Sequence, residues 1–198
     1  MQDIKTIKDL SNAVHGIRNT HAVKLVKMHN EHWKNVDPTD DKQVKAAYLP
    51  LRQLLIDEIL QCLKEIVTLT LKTLSDLYDI DNENVLNLED AMYSEDGKTF
   101  VERLDSYYLE HKGQRAIYNL TRLIDTESEY VFSGVMEDKI NPDDYPYFRV
   151  DNLDEAEDCG CPAPGTIFPA SAEHPPYHPE CECFWEPLTQ EEYEKLKS

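Results

Sequence analysis

The sequence predicts an α+β protein, a mainly α-helical body carrying a small C-terminal β-type, proline-rich tip that a zinc ion is expected to clasp. Three observations carry that expectation. Apolar residues recur three or four positions apart from Ile4 to about Trp33, and again up to about Tyr78. The character changes after Asn141, and seven prolines (162, 164, 169, 175, 176, 179 and 187) fall within one short segment. Four of the five cysteines sit in residues 159 to 183 of the same segment.

The first helix is read from Ile7, Leu10, Val14, Ile17, Leu25 and Met28, which line one helical face. VDPTDD then supplies Pro38 and several capping side chains, ending one helix and starting the next. The second helix carries Leu51, Leu54, Leu55, Ile59, Leu63, Ile66, Val67, Leu74 and Leu77 as its buried stripe. Pro50 is expected to split or kink it, because a proline pushes the preceding Leu49 away from helical angles. Cys62 lies beside the stripe and reads as a semi-buried packing residue. After a polar connector and the turn SEDGK, two further helices are expected, about Thr99 to His111 and Gln114 to Gly134, separated near Gly113. NPDDYP is turn-forming, and YFRV and TIF are short β-prone runs.

With 198 residues, 40% of them hydrophobic, the chain is long enough to bury a core of its own. Its 39 acidic and 20 basic residues give a net charge of −19, a poor match for a phosphate backbone, so a sequence-reading DNA binder is disfavoured. The charge is uneven. Residues 1–35 hold six Lys/Arg against three Asp/Glu, whereas residues 151–198 hold two against twelve. No apolar run reaches membrane-spanning length, and MQDIKTIKDL lacks the apolar core of a signal peptide, so a cytosolic chain is expected. In a reducing compartment, clustered cysteines point to metal sooner than to disulfides.

The candidate ligands are Cys159 and Cys161 in DCGCP, then His178, Cys181 and Cys183 in HPECEC, with His174 a weaker, exposed candidate. Alternate residues of an extended segment face the same way, so each C-x-C can aim two thiolates at one point, and Gly160 allows the first pair to turn tightly. Two such pairs make a tetrahedral set of the kind structural Zn²⁺ prefers, and His178 can replace one thiol. Closing the loop of roughly twenty residues with metal would offset the chain entropy of a segment with little apolar mass of its own. Reduced thiols or cross-strand disulfides form a second reading, and redox or catalytic use a third. A catalytic zinc is disfavoured because nearly every ligand is cysteine, which leaves no evident open position or positioned base.

Five motifs, in order, resemble those of the phage head morphogenesis family, the Mu F-like minor capsid proteins: SEDGKTFVERLDSY, RLIDTESEYVFSG, LDEAEDCGC, PGTIFP and HPECEC. The resemblance spans residues 93–185 and implies a minor head protein that associates with portal and capsid interior and supports genome passage. It divides the chain into an N-terminal helical region (1–92), the head morphogenesis region (93–187, with its Cys/His tip at 145–187) and an acidic tail (188–198). The chain departs from the family in its C-x-C first pair, where C-x-x-C is usual, and in Glu180 and Glu182, where Asn and Arg are common. At this length no toxin or ADP-ribosyltransferase domain, carried by some members, is expected. Arg122, Thr126 and Glu127 match the family's helix element; a buried polar tie from Arg122 and Thr126 to the cysteine-bearing segment is one expectation, capping or surface exposure another.

The expected function is thus a non-enzymatic assembly protein of a tailed phage virion, made in the host cytoplasm, with portal and capsid proteins as partners and self-association open. Its basic N-terminal helix would meet an acidic portal surface or DNA, or simply solvent. The alternatives are a zinc-dependent hydrolase, with Asp154, Glu155 or Glu180 as its carboxylate, and a small zinc-binding regulatory module for nucleic acid, against which the net charge argues.

Overall fold

The computed structural model describes residues 4–80, 98–152, 160–177, 181 and 183–197. It is mainly helical with a small antiparallel sheet near the C-terminus, the α+β class expected. In order come α1 (Ile7–Trp33), α2 (Asp41–Tyr78), α3 (Phe100–Asp105) continued by a π-helical turn (Ser106–Glu110), α4 (Ala116–Lys139), β1 (Tyr147–Asn152), β2 (Ile167–Pro169), β3 (Cys183–Leu188) and α5 (Gln190–Lys197). The chain divides into two compact units. Unit 1 comprises residues 1–15, 67–85 and 129–198, and unit 2 residues 16–66 and 86–128.

Side chains placed by the sequence start the helices. The Thr6 hydroxyl accepts from the Asp9 amide at 3.1 Å while Asp9 accepts from the Lys5 amide at 3.1 Å, satisfying donors that the first turn of α1 leaves orphaned. Asp40 caps α2 through the Lys42 amide at 2.9 Å. Thr99 with Glu102 forms a capping box on α3, and Thr189 with Glu192 repeats the reciprocal pair before α5. Residues read from sequence as an acidic tail therefore continue into a helix.

Two expectations about the helices change. Pro50 lies inside α2, which runs unbroken through it, so the predicted split does not occur. Leu49 and Pro50 are both exposed, and on that face water can reach the Ala46 carbonyl that the missing proline N–H leaves bare. The stripe of α1 is also less apolar than its periodicity implied. Ile7, Leu10, Val14 and Leu25 are buried, but Arg18, His21 and His29 occupy the same buried face in unit 2. Each has a partner there: Arg18 the Asp125 carboxylate at 3.1 Å, His21 Glu58 at 2.6 Å, and His29 the Tyr108 hydroxyl at 2.8 Å. Lys24 also pairs with Glu58 at 2.8 Å, so part of the basic excess of the N-terminal helix is neutralised within the unit. Leu54, placed in the α2 stripe by sequence, is 41% exposed.

Unit 2 contains an aromatic cluster at the end of α1, where Trp33 meets Tyr108 edge-on at 4.8 Å and Tyr108 stacks on Tyr48 at 4.7 Å. Gly113 turns the chain beside it with φ +70°, and its amide donates to the Tyr107 carbonyl at 2.9 Å. A Cβ here would come within 2.5 Å of the Trp33 indole nitrogen. We expect Gly113→Ala to lower stability by about 2 kcal/mol, from the left-handed backbone and the displaced indole together, read as a fall in thermal midpoint.

Unit 1 holds the sheet, with strand order β2-β1-β3 and both pairings antiparallel. Phe148 faces Phe168 on one side and Pro187 on the other, while Val150 faces Trp185. β3 is buried almost throughout, and Phe148, Trp185 and the His174 ring pack together with centroids 4.3 to 5.8 Å apart. The proline-rich region therefore carries more apolar mass than its composition suggested, and His174, expected to be exposed, sits within it.

Candidate metal centre

β1 organises the cysteine-bearing segments. Its Val150 amide donates to the Thr166 carbonyl at 2.9 Å, and the Gly165 amide returns a bond to the Val150 carbonyl at 2.8 Å, which fastens the loop after Cys161 to the strand. On its other edge Asn152 is the register partner of Cys183, the first residue of β3. Gly160 precedes Cys161 with φ +75°, a conformation that side chains beyond hydrogen disfavour. One antiparallel strand pair and one tight turn thus bring together thiols about twenty residues apart in sequence.

Cys161, Cys181 and Cys183 present three sulfurs all within 4.8 Å of one another, with Cys181 and Cys183 buried and Cys161 half-buried. No disulfide joins them to one another, and the Cys161 and Cys181 sulfurs are 3.7 Å apart. A tetrahedral ion with metal–sulfur bonds of about 2.3 Å requires sulfur–sulfur edges of roughly 3.8 Å, so this pair already has the spacing that zinc ligation demands. A disulfide would need roughly 2 Å. These three cysteines can hold a metal ion.

The electrostatics agree with that donor set. Hydrogen bonding from the Cys183 thiol, with lesser donations from the Cys183 and Tyr177 backbone and from Cys161, pulls the Cys181 thiol down to about 5 against the opposing effect of burial. Cys183, as donor in that pair, is pushed up. The cluster thus favours one thiolate shared among three sulfurs, and a cation is what would allow the others to ionise. The Tyr177 hydroxyl is buried beside the three thiols and has no hydrogen-bond partner among the described residues. It lies within electrostatic reach of the three sulfurs but outside hydrogen-bonding distance of them, a neighbour that composition could not reveal.

Of the ligands read from sequence, Cys161, Cys181 and Cys183 converge, while Cys159 and His178 lie outside the described residues, as do Asp154, Glu155, Glu180 and Glu182. His174 pairs with Glu137 at 3.5 Å in the aromatic core. Cys62 belongs to unit 2, fully buried, its thiol pushed up to about 12 by burial and its sulfur 3.8 Å from the Ser128 hydroxyl. It is a packing residue, more deeply buried than its sequence position implied.

In the helix element RLIDTESE the surface expectation holds for Arg122 and the buried tie does not. Arg122 is exposed and makes no buried tie, whereas Thr126, Glu127, Ser128 and Glu129 are all buried. The arginine that enters this layer is Arg103, from VERLD of α3, which pairs with Glu127 in unit 2. In unit 1, Glu129 meets His15 at 3.0 Å. Periodicity located α4, but no sequence signal tells a buried glutamate from a solvated one when its partner lies 24 residues away.

Comparison with protein-family models, with curated proteins and with solved structures returned no match.

Proposed function

We propose that this chain is a structural assembly protein of a tailed bacteriophage, a minor capsid component that associates with portal and capsid interior during head morphogenesis and genome passage. The observation that carries the reading is the convergence of Cys161 with Cys181 and Cys183. It joins two of the five ordered motifs, DCGC and HPECEC, into one all-thiolate site at the end of a sheet built from a third segment of the same region. The role is non-enzymatic. A thiolate-only set suits an ion that ties chain segments together, whereas hydrolytic zinc works through an open position and a positioned base.

The ion proposed is Zn²⁺, with Cys159 or His178 supplying the fourth ligand. When bound it would neutralise the thiolates and cross-link the loop after Gly160 to β3. Within the protein, Val150 fixes the loop after Cys161 by two backbone bonds. Assembly would take place in the host cytoplasm and the product would reside in the virion. Portal and capsid subunits, or further copies of this chain, are the proposed neighbours, and a charge of −19 makes protein a better partner than DNA.

The test is quantitative mass spectrometry of purified particles from the phage that encodes the chain. A low, fixed number of copies per head, retained through density-gradient purification, is expected. Absence from mature particles and from head precursors alike would overturn the reading.

A further inference from the structure

We propose that unit 1 contains a second binding site, a cavity for an alkylammonium head group, separate from the cysteines and independent of the assembly role. The cavity measures about 150 Å³. Tyr145, Tyr147, Phe148 and Trp185 supply aromatic walls, His174 a fifth ring and Glu137 a carboxylate. No lysine or arginine lines it among the described residues.

Aromatic faces carry negative potential, and several rings around one small space select a cation over a neutral group of the same shape. Glu137 adds the matching charge. Its carboxyl is about half exposed, and its neighbours within the protein are few: the Ser133 hydroxyl, 3.3 Å away, has one hydrogen and also makes a closer contact with the Pro175 carbonyl. The nearest ring nitrogen, His174 Nδ1, is 3.5 Å distant, and burial pushes that histidine toward its neutral form. Partial burial likewise pushes the Glu137 carboxyl up, and the cavity wall holds no lysine or arginine among the described residues as a positive neighbour to offset this. An arriving ammonium would supply that neighbour. An anion would meet Glu137 and an overall charge of −19, and a purely apolar guest would leave the carboxylate unpaired.

Size narrows the ligand further. The volume corresponds to about five water molecules and falls below the roughly 300 Å³ at which pockets for drug-sized ligands begin. It suits the head of a longer molecule, either the primary ammonium of a lysine side chain or a quaternary trimethylammonium.

The indole of Trp185 reports on the site directly, since its N–H donates to the Ser133 hydroxyl at 3.3 Å. Trp33, the other tryptophan, belongs to unit 2 and serves as an internal control. The experiment follows both indole ¹⁵N–¹H resonances of the full chain during titration with choline, n-butylammonium and the neutral choline isostere 3,3-dimethylbutan-1-ol, at constant ionic strength. A saturable shift of Trp185 alone is expected with at least one cation, with the isostere about tenfold weaker or more. Glu137→Gln should weaken the cation several-fold while leaving the isostere unchanged. Tighter choline binding assigns a quaternary ligand, and tighter butylammonium binding a lysine side chain. No saturable shift with either cation, or equal affinity for the isostere, overturns the proposal even if the variant fails to fold; so does a folded Glu137→Gln that binds both cations as the native protein does.

Discussion

Cys181→Ser is expected to abolish metal binding and to lower the thermal midpoint of unit 1 by on the order of 10 °C. Its sulfur is 3.7 Å from that of Cys161, and the residue is 1% exposed, so serine cannot restore the ligand and leaves a misfitting hydroxyl in a thiolate pocket. Structural zinc contributes its binding free energy to folding, about 10 kcal/mol or more in small zinc modules; in the proposed clasp the aromatic core around Phe148 and Trp185 would share the load. Elemental analysis should find close to one zinc per chain in the wild type and none in the variant. Cys62→Ala is the control, expected to lose some packing in unit 2 but keep its metal. A wild-type protein free of metal, with its thiols reactive and Cys181→Ser melting at the same temperature, would refute the clasp.

The second large effect concerns Glu127. It is 1% exposed, burial lifts its carboxyl to about 7 despite the opposing charge of Arg103, and its Oε2 has no hydrogen-bond partner among the described residues. Because the folded value lies above the unfolded one near 4.5, the folded state binds this proton more tightly. The contribution is therefore fully favourable below about pH 4.5 and is lost as pH rises toward about 7, on the order of 3 kcal/mol across that window. Chemical denaturation between pH 5 and pH 8 should show wild-type stability falling relative to Glu127→Gln, whose neutral amide removes the linkage. A constant difference between the two proteins across that range would contradict it. Arg103→Ala removes the charge that opposes burial, so it should push the Glu127 carboxyl higher still and destabilise the protein increasingly as pH rises above about 7, with little electrostatic effect at pH 5.

The two sites differ in how far they were legible beforehand. For the cysteines, spacing was enough. A C-x-C in extended chain commits both thiols to one side, and a glycine between the first pair marks the turn, so the convergence of Cys161 with Cys181 and Cys183 follows from local geometry and one strand pairing. The tie through Glu127 was beyond reach, because its partner had to come from α3. His174 was misjudged for a related reason. Its neighbouring proline suggested an exposed loop, and only the packing of β1 and β3 gave that ring aromatic partners.

By itself the sequence determined the course of α1, the approximate place of α4, the capping residues between α1 and α2, the strand-prone runs and three cysteines able to meet, since all of these depend largely on interactions within a few residues along the chain. The unbroken course of α2 through Pro50, the burial of Arg18, His21 and Glu127, and the cavity beside Trp185 were decided by tertiary structure alone. A missing backbone donor is tolerated where water can reach the bare carbonyl, a charge can be buried where a distant side chain meets it, and a cavity forms where rings from separate segments fail to fill their common space.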